Sequence, residues 1–138
     1  MALPNGAGGY QVGDGNLAEP IIGYQAAPLS VAATATLTAA QVTAGILLVG
    51  SGATAAQTYT LPSAALIDAA ISSAKVGSTF DLSIVNLGTS SGTGALALGS
   101  GTGFSDGGNA TVAVAITSSG LFRFRKTADS AYSVYRIG

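Results

Sequence analysis

Thr79-Phe80-Asp81-Leu82-Ser83-Ile84 alternates polar with apolar side chains, and the same alternation returns in Leu121-Phe122-Arg123-Phe124-Arg125-Lys126. A period of two is the signature of a strand with one buried face, because successive side chains point to opposite sides of a sheet. Similar short runs recur along the chain at Ala33 to Leu37, Ile46 to Val49, Thr58 to Leu61, Ala95 to Leu98, Asn109 to Ile116 and Ala131 to Ile137. Gly, Ser and Thr punctuate them, so each strand is short. Helical spacing is convincing only from Ala64 to Ser73, where Ser63 serves as N-cap and Ile67 with Ile71, and Leu66 with Ala70, fall on one face. Thr38-Ala39-Ala40-Gln41 has the spacing of a capping box, and Gly45 ends that single turn. These signals predict an all-β protein, an antiparallel sandwich or barrel of jelly-roll type with one short helix.

The first thirty residues hold three of the four prolines and six glycines, a mixture that resists both helix and continuous sheet. They read as an extended N-terminal arm over 1–30, ahead of a β domain over 31–138. Tyr10, Val12, Leu17, Ile21, Ile22, Tyr24 and Leu29 are spaced along the arm as separate apolar anchors, which a purely solvated tail does not need.

Charged residues make up 8% of the chain, against about a quarter in a typical soluble domain. Much of the surface is therefore expected to meet another chain. The net charge of −1 conceals an asymmetry: Arg123, Arg125, Lys126 and Arg136 cluster near the C-terminus with only Asp129 among them. The pI near 4.9 argues against nucleic acid as the partner. The arginines read as an electrostatic contact to a neighbouring subunit, laddered across adjacent strands. No apolar run approaches the roughly 18 residues of a membrane helix, and Met1 to Gly6 has neither the positive start nor the apolar stretch of a secretory signal.

Histidine and cysteine are absent, which removes the commonest general base, the usual partner of a nucleophilic serine and the thiolate metal ligands. The six acids, Asp14, Glu19, Asp68, Asp81, Asp106 and Asp129, are scattered and read as solvated or turn carboxylates. Lys75 reads as a surface lysine. Gly13 to Ala18 satisfies G-x-G-x-x-A, but no strand leads into it and Glu19-Pro20 ends any helix at once. Asp14 with Asn16, and Asp106 with Asn109, are only fragments of calcium loops. No enzyme, cofactor or metal site is expected.

Pro4-Asn5-Gly6-Ala7-Gly8-Gly9-Tyr10-Gln11-Val12-Gly13-Asp14-Gly15-Asn16 is similar to the N-terminal arms of the small proteins that decorate, or cement, tailed-bacteriophage heads. The series Tyr59-Thr60-Leu61-Pro62, Phe80 to Asn86, Phe122 to Lys126 and Tyr135-Arg136-Ile137 also resembles these proteins, as well as phage fibre modules. The resemblance implies a homotrimer on the capsid exterior whose arms contact the major capsid protein. The competing expectation is a tail or fibre module that binds a host receptor or glycan through the loops at 88–108, where Phe104 is the one aromatic residue.

Overall fold

The computed structural model describes residues 23–89, the strand at 94–97 and residues 102–138. Their order is β1 (Leu29–Val31), β2 (Ala35–Thr36), α1 (Ala39–Val42), β3 (Ile46–Val49), β4 (Gln57–Thr60), α2 (Ala64–Ala70), β5 (Thr79–Asn86), β6 (Gly94–Ala97), β7 (Phe104–Gly108), β8 (Ser119–Ala128) and β9 (Ala131–Arg136). A six-stranded sheet runs β1-β3-β5-β8-β9-β7, and a three-stranded sheet runs β2-β4-β6. The chain is therefore β-rich, as its alternation predicts.

Its strand directions differ from the expected antiparallel arrangement. From β1 to β6 the chain visits the two sheets in turn, adding one parallel strand to each at every pass. Antiparallel pairing is confined to the two ladders β5–β8 and β8–β9, while β7 joins β9 in parallel. Strand β8 alone runs against its sheet. The reason lies in the connections. α1 and α2 occur on the return from the small sheet to the large one, and such crossovers suit parallel strands, whereas the tight turn at Asp129-Ser130 makes an antiparallel hairpin of β8 and β9.

The inward faces meet in one core. Leu47 and Val49 of β3, Leu82 and Ile84 of β5, Phe122 and Phe124 of β8, and Tyr132 and Val134 of β9 are buried there. Tyr59 of β4, Val42 of α1 and Ala64 and Ile67 of α2 close it from the other side. Phe80 stacks on Phe124 with ring centroids 4.8 Å apart, and Phe104 packs against both Phe124 and Tyr132.

Local rules explain most element ends. Gln41 N donates to Thr38 Oγ1 and Thr38 N donates to Gln41 Oε1, completing the predicted capping box of α1. α2 is shorter than the predicted 64–73. Ser63 occupies its N-cap without a side-chain bond, and the amide of Ala64 donates instead to the Thr102 carbonyl. Leu66, 56% exposed, does not share the buried side of Ile67. The predicted strand at 109–116 is instead a turn region: Asp106 Oδ1 accepts from the amides of Gly108 and Ala110, Asn109 is left-handed with φ 55°, and Val112 is half exposed. Of that run Ala110 and Val114 reach the core.

Gly103 lies where α2 meets the β8–β9 hairpin. Its φ is +94°, and a Cβ there would sit 2.2 Å from the Ser130 carbonyl oxygen and 2.7 Å from Ala64 Cβ. Gly52 has a φ of +75° with nothing within 4 Å. Gly52→Ala is thus expected to cost about 1 kcal/mol, from left-handed backbone alone. Gly103→Ala is expected to cost roughly 3 kcal/mol or more, since backbone must also move. Urea unfolding of the two variants checks this, and equal losses would contradict the packing at Gly103.

Candidate functional site

Two groups of polar side chains were candidates for chemistry, the scattered acids and the C-terminal cations. The structure sorts them by strand parity. On β8 the residues Phe122, Phe124 and Lys126 turn inward, while Arg123 and Arg125 turn outward. Alternation thus carries an ammonium group into the apolar side of the sheet, where it requires a partner.

Asp68 of α2 supplies it. Lys126 Nζ lies 2.9 Å from Asp68 Oδ1 with the lysine side chain 8% exposed, and it also reaches the Ala74 carbonyl at 3.4 Å. Asp129, fully in solvent, approaches at 3.6 Å. The Tyr132 hydroxyl donates to Asp68 Oδ1, and the Ser130 amide donates to Oδ2 at 2.7 Å. Asp68 is therefore the centre of a bonded cluster, not the solvated surface carboxylate its helical position predicts. The hydrogen bond from Tyr132, then those from Ser130 and Lys126, hold its carboxyl down at about 2. Burial, then the bond to Asp68, pushes the Tyr132 phenol far above its usual value. Near neutral pH the Asp68 carboxylate therefore stays ionised and the Tyr132 phenol protonated. What it does is clamp α2 to the β8–β9 hairpin. The signal in the sequence was Lys126 itself, a charge at an apolar parity position. Lys75 is exposed, as expected.

The three arginines do not form one ladder. Arg123 and Arg125 share the outward face of the large sheet, but Arg136 lies on the inward side. Its Nη1 donates to the carbonyls of Val112 and Ala113, its Nε donates to the Gly138 carbonyl, and its guanidinium sits 5.9 Å from the Phe122 ring centroid. It pins the 109–116 turn region and is already engaged within the chain. Arg123 makes a two-pronged pair with Asp81, both bonds 2.7 Å, which lowers the carboxyl and raises the guanidinium. Both partners are open to solvent, so screening leaves the pair little weight in stability. Arg125 stands between Thr79 and Ser133 in the ladders, and no carboxylate among the described residues pairs with it.

Of the predicted arm contacts, Tyr10, Val12, Leu17, Ile21 and Ile22 lie outside the described residues, as do Asp14 and Asn16. Tyr24 is 93% exposed. Leu29 and Ser30 belong to β1, paired with Leu47 and Leu48. Phe104 is packed in the core cluster with Phe124 and Tyr132 rather than presented on a loop. Asp106 spends an oxygen on two backbone amides, and the described residues contain no group of three acids suited to a metal ion.

The clamp makes two linked predictions. Asp68→Asn leaves the buried ammonium of Lys126 poorly compensated and is expected to cost roughly 3 kcal/mol, whereas Lys126→Met keeps the Tyr132 and Ser130 bonds to Asp68 and is expected to cost less. Chemical denaturation of both variants tests the order. A carboxyl held low in the folded state stabilises above its unfolded value of 3.8 and loses that contribution as pH falls towards 2. The wild-type midpoint should therefore drop between pH 4 and pH 2 more steeply than that of Asp68→Asn.

No family model, no curated protein and no solved structure matches the chain, so the functional reading rests on this geometry and on the residues that carry the resemblance.

Proposed function

We propose that the chain is a structural virion protein that decorates a tailed-bacteriophage capsid on its exterior, with the major capsid protein and further copies of itself, as a homotrimer, for partners. The large sheet with the small sheet and helices stacked on it is a two-layer, sandwich-like platform in this reading. The arm bridges neighbouring capsid subunits through Tyr10, Val12, Leu17, Ile21, Ile22 and Tyr24.

One observation carries the proposal. Lys126, Asp68, Arg136 and Asp106 are all engaged in holding the fold together, so among the described residues Lys75, Asp81, Arg123, Arg125 and Asp129 are the charges left on a surface made otherwise largely of hydroxyls, small residues and aliphatic side chains. Such a surface serves association better than acid-base chemistry. Each anchor buried on a partner contributes about 1.5 to 3 kcal/mol before ordering costs. Several anchors per arm, repeated over the copies in an assembly, then act together against head expansion. The described helices include none long and apolar enough to cross a membrane. The receptor-binding alternative loses its one loop aromatic, because Phe104 faces the core.

The test is the copy number per major capsid subunit in purified particles, by mass spectrometry against labelled peptides. A ratio near one, or a simple fraction that fills one class of lattice site, is the expected result. A handful of copies per particle would assign the chain to the tail. Tyr10→Ser combined with Val12→Ser is expected to weaken binding to undecorated heads at least about tenfold while leaving the melting temperature unchanged.

A further inference from the structure

The inward face of the six-stranded sheet is covered by the helices and the small sheet, while the outward face presents its side chains half-buried or exposed. On that face Leu48 of β3 is beside Val85 of β5, and one row further Ile46, Leu121 of β8 and Ile137 follow one another across the sheet, with Ser83 between the first two. The next rows are polar. Asp81 stands beside Arg123, and beyond them Arg125 stands between Thr79 and Ser133. An aliphatic half thus adjoins a cationic half.

Charge decides what fits such a face. Its one carboxylate, Asp81, has both oxygens taken by Arg123. Arg125 has only hydroxyl neighbours in the ladders, and that of Ser133 is already bonded to the Ser105 hydroxyl at 2.9 Å. The other described acids are committed elsewhere: Asp68 to the clamp, Asp106 to two backbone amides, and Asp129 beside Lys126 at the hairpin turn. Two copies laid face to face would bring four guanidinium groups against two carboxylates, and desolvating the surplus cations is costly. A different surface, with apolar side chains and a carboxylate of its own, leaves no such surplus.

Area points the same way. Five strand spacings from β1 to β7 span about 24 Å and the eight residues of β5 run about 26 Å, so the face offers at most roughly 600 Å². A self-sufficient interface buries about 800 Å² per partner. Contact through this face therefore holds only when a second contact tethers the same two molecules.

We propose that the outward face of the six-stranded sheet seats the β domain on the major capsid protein, with the Ile46–Leu121–Ile137 row against apolar side chains and Arg125 in a two-pronged bond to a capsid carboxylate. This inference rests on the capsid reading and deepens it. The arm keeps all its anchors for the capsid, and the face adds a second, weaker contact to the same partner. Of the three arginines, Arg125 is the one that recognises the partner; Arg123 is held by Asp81, and Arg136 is spent on its own chain.

Binding of the full-length chain to undecorated heads tests the proposal. Arg125→Gln should weaken binding at least about tenfold with an unchanged melting temperature, and Arg125→Lys should recover part of the loss. Thr58→Glu, an equal change of net charge at an exposed position of the small sheet, should leave binding as it is. Added salt should weaken the wild type more than Arg125→Gln. Dicarbonyl labelling of arginines gives a second measurement without substitution: Arg125 should react in the free chain and be protected in purified particles. Equal binding by wild type and Arg125→Gln, equal labelling of Arg125 in both states, or protection of Arg125 already in an oligomer of the free chain would each overturn the proposal while leaving the capsid reading intact. Heads that fail to bind the wild-type chain would overturn that reading and this partner with it.

Discussion

Strand β8 is hydrogen-bonded along both edges, to β5 over seven residue pairs and to β9 over six, and everything on either side takes its register from it. A slip of one residue in β8 would turn Phe122, Phe124 and Lys126 outward and bring Arg123 and Arg125 into the core. Burying two guanidinium groups without partners costs far more than the slip could recover. The parity of this one strand therefore decides which face of the large sheet is core and which is open. It also joins the two halves of the molecule, the parallel winding that ends at β6 and the hairpin to which β7 adds.

At one end of β8 the same parity creates a problem that the fold solves with a long-range contact. Lys126 enters the core side, and Asp68 meets it together with Tyr132, whose hydroxyl bond spans sixty-four residues of sequence. Tyr132 belongs at the same time to the ring cluster of Phe80, Phe104 and Phe124. Polar clamp and aromatic core thus share a residue, so α2 cannot leave without disturbing both. An ion pair of this kind adds little net stability over an apolar replacement, yet loss of one partner is costly. We read it as a device for position: it sets where α2 sits over the hairpin.

Much of this was legible in the residues themselves. Alternation at 79–84 and 121–126 identified the inward side chains, and Thr38 with Gln41 announced its capping box. Alternation gives faces, however, and not partners, so it could not reveal that β1, β3 and β5 run parallel. The run at 109–116 alternates as well, but Asp106 captures two amides ahead of it and Asn109 turns left-handed, and local hydrogen bonding overrides the pattern. Arg136 was grouped with Arg123 and Arg125 by sequence proximity. Its parity is opposite, which a careful count along β9 shows: Tyr132, Val134 and Arg136 share a side. The Asp68 contact had no local signature beyond the demand that Lys126 makes for a partner.

The edges of the large sheet explain why association is better sought on its face. Strand β1 is three residues long, and β7 carries a register shift between Asp106 and Gly108, with Gly107 held against the Tyr135 ring. Short or bulged edges are poor templates for a further strand. Copies of the chain are thereby discouraged from joining edge to edge into open arrays, an outcome that a weakly charged, β-rich protein would otherwise risk. The outward face, aliphatic over β3 and β5 and cationic at β8, lacks that hazard, because contacts there are made by side chains and stop where the side chains stop. Side-chain contacts on such a face, as the proposed function requires, would not propagate from copy to copy as strand pairing at an edge does.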